Sequence, residues 1–148
     1  MTHFHVDFWS TDATTFHVKL VDFGVAKLLD SPEGTRGVLD TAENGLVGTP
    51  VFISPERLLG RPYDGSADVY SLGVTMYRML AGRLPFGGGE ATVPAIIVDA
   101  LRGEPEPPSR FNSEVTPWLE RLTLLAMSRD PADRPTAARL AQALSEEV

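Results

Sequence analysis

The sequence predicts a mainly α-helical chain with a short β segment near its N-terminus. Three observations predict it. Residues 68–81 carry apolar side chains around nearly the whole of a helical pattern. Shorter helical patterns at 94–101, 117–127 and 135–145 are punctuated by proline or glycine. Residues 16–21, Phe-His-Val-Lys-Leu-Val, alternate and are β-branched in the manner of a strand.

Residues 1–16 form an atypical N-terminal segment, with aromatic and polar residues mixed at 3–9 and a polar, turn-like stretch at 10–15. The strand pattern follows, then Asp22-Phe23-Gly24, where glycine permits a turn. Residues 28–50 are rich in Gly, Ser, Thr, Asp and Asn and show no periodicity, which predicts a long loop of the kind that tends to be functional. A short helix is expected after Pro55. The helix 68–81 is capped by Asp68 or Ser66 and ended by Gly82. The next runs from Pro94 to Leu101 and stops at Gly103. Residues 104–108, Glu-Pro-Glu-Pro-Pro, must be extended. Thr116-Pro117 opens another helix, with Leu119, Leu122 and Ala126 as its core face. The last runs from Pro135 to about Ser145, capped at Arg134 or nearby, with Leu140 and Leu144 on one face.

Composition narrows the function classes. The 148 residues hold 13 cationic and 20 anionic side chains, a net charge of −7. That balance argues against nucleic acid or an anionic membrane as the main partner. The absence of cysteine rules out disulfides, thiolate metal sites and a cysteine nucleophile, and fits a cytoplasmic location. No signal-like segment and no apolar run of membrane-spanning length is seen. His3, His5 and Asp7 alternate and would share one face of a strand, where exposed strand residues compete with a metal site as the reading.

Five motifs then occur in order. They are Lys19-Leu20-Val21-Asp22-Phe23-Gly24-Val25-Ala26-Lys27; Gly48-Thr49-Pro50-Val51-Phe52-Ile53-Ser54-Pro55-Glu56; Asp68-Val69-Tyr70-Ser71-Leu72-Gly73-Val74; Arg83-Leu84-Pro85-Phe86; and Asp130-Pro131-Ala132-Asp133-Arg134-Pro135-Thr136. Together they resemble the C-terminal lobe of protein kinases, in the bacterial serine/threonine flavour, from the D-F-G segment onward. The resemblance implies a partial kinase domain over 17–146: a helical bundle with a long activation loop and without the small lobe, which would precede residue 1.

The resemblance also implies roles. Asp22 would hold Mg²⁺, a hard ion suited to carboxylate oxygen, with Phe23 packed inward and Gly24 turning the backbone; together they would contribute to an ATP site. Residues 25–55 would be the activation segment, with Ser31, Thr35, Thr41 and Thr49 as its hydroxyls. Thr41 is the preferred phosphosite, and Thr49 would contact the catalytic loop and the acceptor position. Glu56 would pair with Arg134 across 78 positions, clamping the loop's end to the helical lobe. Asp68 would accept N–H bonds from the catalytic loop, or serve as a plain N-cap.

Several kinase parts are not found in these residues. There is no G-x-G-x-x-G loop, strand lysine or αC glutamate, and the only lysines are Lys19 and Lys27. The only asparagines, Asn44 and Asn112, lie downstream of Asp22, so the H-R-D-x-K-x-x-N loop is not intact. His5-Val6-Asp7 is either a degenerate catalytic loop, with Asp7 as the catalytic candidate, or unrelated sequence. The implied activity is transfer of the ATP γ-phosphoryl group to a protein Ser or Thr, not expected from this chain alone. The alternative is a non-catalytic module that binds a protein partner, with 94–101 and 117–127 as docking helices. Without a wall helix, part of the apolar face of 68–81 would be uncovered, which predicts marginal stability or self-association.

Overall fold

Proline and glycine set where the helices begin and end. The computed structural model describes residues 5–6, 9–12, 15–17, 20–21, 50–87 and 92–146, and the chain falls into two units, residues 1–34 and 35–148. In the second unit, helix α1 spans Pro55–Leu58, α2 Ser66–Ala81, α3 Val93–Arg102, α4 Pro117–Ala126 and α5 Ala137–Glu146. Proline opens α1 and α4 and lies in the first turn of α3, where its missing N–H costs nothing. Single 3₁₀ turns at Pro50–Phe52, Pro108–Arg110 and Pro131–Asp133 join these elements.

The caps follow the sequence in three places and depart from it in two. Gly82 ends α2 in the left-handed region, φ 68°, its N–H donating to Arg78 O. Gly103 follows α3, and the Thr116 hydroxyl accepts the Leu119 N–H at the start of α4. Helix α2, however, starts at Ser66, and neither Ser66 nor Asp68 caps it. Gly65 is the N-cap residue, and the Asp64 carboxylate just before it accepts the Ser66 N–H at 2.9 Å. Asp64 thus satisfies a donor that the helix leaves orphaned. At α5 the cap is Thr136, whose hydroxyl accepts the Arg139 N–H and whose carbonyl accepts that of Leu140. Arg134 is drawn inward instead.

Helix α2 is the axis of the second unit. Val51, Leu58, Tyr70, Val74, Tyr77, Phe86, Ala100 and Met127 form one buried cluster around it. Val69, Ala126 and Leu140 form a second, joining α2, α4 and α5. Helix α4 comes so close at Gly73 that a β-carbon there would lie 2.8 Å from Met127 Cγ and 3.0 Å from Ala126 Cβ. The segment expected to be extended over 104–108 reaches only to Pro107, since Pro108 opens a 3₁₀ turn, and it is fastened by the Tyr77 hydroxyl, which donates to Glu106 O at 2.8 Å. Asn112 Nδ2 donates to Leu80 O nearby, and Arg83 stacks on Phe111.

Burial of α2 is not complete. Leu72 is 43% and Met79 72% exposed, and Asp68 is also exposed. With the half-buried Thr75, positions 68, 72, 75 and 79 recur at helical spacing and make one stripe. An apolar residue on nearly every side therefore did not mean cover on every side.

In the first unit the β segment is two antiparallel pairs of short strands. Strand β1 (His5–Val6) pairs with β4 (Leu20–Val21), and β2 (Trp9–Asp12) pairs with β3 (Thr15–His17), with a register irregularity between Ser10 and Asp12. The single strand expected at 16–21 is thus split between two partners, and the expected turn at 10–15 is largely strand.

Candidate functional site

The best-defined polar constellation in the described residues is built around Arg134. This residue follows the 3₁₀ turn Pro131–Asp133, and Pro135 after it keeps the backbone extended, φ −75° and ψ 143° at Arg134. Its side chain runs inward to the first turn of α1. There Nη1 donates to Glu56 Oε1 at 2.8 Å and Nη2 to Glu56 Oε2 at 2.9 Å, a two-pronged pairing of guanidinium with carboxylate. The other donors are also used. Nε donates to Ser128 O at 2.7 Å, Nη1 to Ser66 O at 3.1 Å and Nη2 to Arg129 O at 3.2 Å.

The pair is buried, with Glu56 5% and Arg134 6% exposed. The guanidinium also lies 5.1 Å from the centre of the Tyr70 ring on α2. Burial by itself raises the Glu56 pKa. The two hydrogen bonds and the charge of Arg134 outweigh this and hold the carboxyl below its ordinary value. Burial pushes the Tyr70 phenol well up, so it stays neutral, and its hydroxyl has no hydrogen-bond partner among the described residues. The Ser71 hydroxyl, one residue on, donates to Phe52 O at 2.7 Å and so ties α2 to the segment entering α1.

Glu56 and Arg134 are therefore brought together. Asp68 is placed in the first turn of α2, solvent-exposed; its N–H donates to Gly65 O at 3.1 Å, and its carboxylate has no hydrogen bond or ion pair among the described residues. Asp7, Asp22, Phe23, Gly24, Thr41 and Thr49 lie outside the described residues. So do His3 and the side chain of His5. Among the described residues no group of three or more His, Cys, Asp or Glu is placed to hold a metal ion.

Sequence reasoning missed Asp64, Tyr70 and Arg129. The Asp64-Gly65-Ser66 order was the available signal for the first, since Asp before a helix start favours such a cap. Nothing local marks Tyr70 as the stacking partner, or Arg129 Nη2 as a donor to Arg102 O and Gly103 O at the end of α3.

The protein kinase domain family matches residues 8–144, a range that includes all five motifs. The chain belongs to the protein kinase family. Among curated kinases it is 39% identical over 123 residues to the serine/threonine-protein kinase pkn3 of Myxococcus xanthus, covering 82% of this chain and 22% of that protein. It is 38% identical over 128 residues to PkaA of Streptomyces coelicolor, covering 86% and 21%. With PknB of Mycolicibacterium smegmatis it is 38% identical over 124 residues, covering 83% and 19%. The chain thus spans about a fifth of the length of these kinases. The helical unit built on α2, with its arginine–carboxylate clamp, is the architecture of the kinase helical lobe.

Proposed function

We propose that this chain serves as the helical lobe of a serine/threonine protein kinase and does not transfer phosphate by itself. The observation that supports the lobe assignment is the clamp. A buried, two-pronged ion pair between residues 78 positions apart needs both motifs folded against one another, which chance motifs would not supply. The reaction of the assembled kinase is transfer of the γ-phosphoryl group of ATP to a protein serine or threonine. Asp22 would hold magnesium, which when bound neutralises phosphate charge; Phe23 and Gly24 would set the turn that aims Asp22. Within these 148 residues nothing supplies the glycine-rich loop, the strand lysine or an intact H-R-D segment. We place the protein in the cytoplasm, with a protein substrate or partner rather than nucleic acid or membrane. No helix among the described residues is long and apolar enough to cross a membrane.

The test is incubation of the purified chain with labelled ATP, magnesium and a serine- and threonine-rich protein. No transfer is expected. Transfer that Asp22→Ala abolishes would overturn the inactive reading.

A second reading, a non-catalytic module that binds protein or itself, is favoured by the open stripe on α2. It is favoured too by a shallow groove of about 610 Å³ along α4, lined by Trp118, Arg121, Leu122, Leu124, Leu125 and Ser128. Apolar surface of this kind is what a partner would cover.

A further inference from the structure

Helix α1 and the turn that leaves it carry two cations and one exposed apolar side chain within five residues. Leu59 is 43% exposed, Arg61 is exposed and Arg57 is half-buried. The Arg57 guanidinium stands 5.1 Å from the centre of the Tyr63 ring, which holds it in place. Among the described residues neither Arg57 nor Arg61 has a carboxylate partner, whereas Arg134 is paired with Glu56 and Arg110 with Glu106.

The backbone that carries them is fixed. The Leu59 N–H donates to Pro55 O at 3.0 Å, the Gly60 N–H to Arg57 O at 3.2 Å and the Arg61 N–H to Glu56 O at 2.8 Å. Glu56 is itself one half of the buried clamp. A backbone held this way loses little conformational freedom when a ligand arrives.

Charge and apolar exposure together select the ligand. Arg57 and Arg61 make a local positive site in a chain of net charge −7. A long polyanion, whether nucleic acid or an anionic membrane, would meet the repulsion of the whole chain. A short acidic peptide would meet mainly the two arginines, whose planar forks suit carboxylates. Leucine between them adds what a pure anion cannot use, an anchor for an apolar side chain.

We propose that residues 57–63 form a docking site for an acidic peptide segment of a partner protein, with an apolar residue between carboxylates. The site does not depend on phosphoryl transfer by this chain and stands or falls separately from the catalytic reading.

The experiment titrates the full chain into a fluorescein-labelled Gly-Asp-Glu-Leu-Asp-Glu-Gly peptide and reads fluorescence anisotropy at low and physiological salt. Saturable binding is expected, weakened about tenfold by Arg61→Glu and by Leu59→Ser, and weakened by salt. Arg78→Glu, an exposed change on α2, is expected to leave binding unaltered. The Arg61 side chain has no hydrogen bond or ion pair among the described residues, so Arg61→Glu should keep the parent thermal midpoint, which separates docking from folding. No saturable binding up to about 1 mM peptide overturns the proposal. So does equal binding by Arg61→Glu, or by a peptide with glycine in place of leucine. If the chain instead binds heparin or phosphatidylserine vesicles more tightly than the peptide, the site reads anions alone and the proposal is wrong. A dimer that Arg61→Glu dissociates, without peptide binding, would make a second copy the occupant and overturn it equally.

Discussion

Arg134→Ala should cost about 3–5 kcal/mol of folding stability, the loss expected when one member of a buried ion pair is removed. The structure shows where the cost arises. Glu56 is 5% exposed, so its carboxylate would be left without its cation and largely without water. It would then stay charged and unpaired, or take up a proton and give up the hydrogen bonds that now hold its pKa down. The Ser128, Ser66 and Arg129 carbonyls would lose their guanidinium donor as well. Against a total of roughly 5–15 kcal/mol for a natural domain, this single change consumes a large fraction.

Urea unfolding followed by far-UV ellipticity measures it, and a double-mutant cycle assigns it. Glu56→Leu alone should cost a similar amount, because it strands the arginine. The double variant Glu56→Leu/Arg134→Met should cost less than either single change, since it buries no uncompensated charge. Arg134→Lys should fall between parent and Arg134→Ala, because an ammonium keeps the charge but cannot span both carboxylate oxygens and three carbonyls. If Arg134→Ala costs under about 1 kcal/mol, or if the double variant loses the sum of the two singles, the clamp is not a coupled buried pair.

Four further outcomes are expected. Gly73→Ala should destabilise by about 1–3 kcal/mol, because its β-carbon would press on Met127 and Ala126, although alanine favours a helix elsewhere; urea midpoints will show this. Gly82→Ala meets no atom within 4 Å, so its cost should be only the left-handed strain at φ 68°, about 1–2 kcal/mol by the same assay. Stability should hold above about pH 4.5 and fall below it. Glu56 has a folded pKa below the ordinary 4.5, so its contribution is present above that value and lost as pH falls through the lower one; thermal midpoints across pH should therefore flatten in Glu56→Gln. Asp64, lowered by the hydrogen bond it accepts from the Ser66 N–H, acts in the same direction from 3.8, and screening by solvent keeps its share small. Replacing Leu72 and Met79 together with glutamate should leave the urea midpoint within about 0.5 kcal/mol and abolish any concentration-dependent sedimentation.

The elements were legible because their signals are local. Proline fixes its own φ, threonine at 116 reaches a donor three residues on, and glycine at 82 takes a conformation other residues resist. The α2 start departs from the sequence expectation because Ser66 and Asp68 can each cap a helix, and only the backbone path shows that Gly65 is the N-cap residue and that Asp64 accepts the Ser66 N–H. The single strand at 16–21 was misread because alternation fixes a face and not a partner, and residues 15–17 and 20–21 pair with different strands. The Glu56–Arg134 pair lay beyond any periodicity or cap rule. It could be named in advance only from the ordered motifs, because the tertiary path that joins positions 56 and 134 leaves no mark near either. The 57–63 surface went unnoticed for the opposite reason. Its Arg-x-Leu-x-Arg alternation is visible, but burial of Leu58 beside exposure of Leu59 is decided by how α1 meets the core.

That same core contact links the clamp to the surface turn. The Glu56 side chain is held by Arg134, while the Glu56 carbonyl receives the Arg61 N–H at 2.8 Å. One residue therefore fixes both the inner pair and the outer loop. Loosening the clamp should let the turn that carries Arg57, Leu59 and Arg61 sample more conformations, so that ordering it costs more when a peptide binds. Arg134→Lys separates the two effects, because the charge stays in the core while the two-pronged hold is lost. In this variant the acidic peptide should bind more weakly, although residue 134 is 6% exposed and out of reach of any ligand. Amide hydrogen exchange at Arg61 should quicken in parallel. Weaker binding without faster exchange would mean that the turn is positioned by something other than Glu56, and unchanged binding with faster exchange would mean that its rigidity is irrelevant to docking.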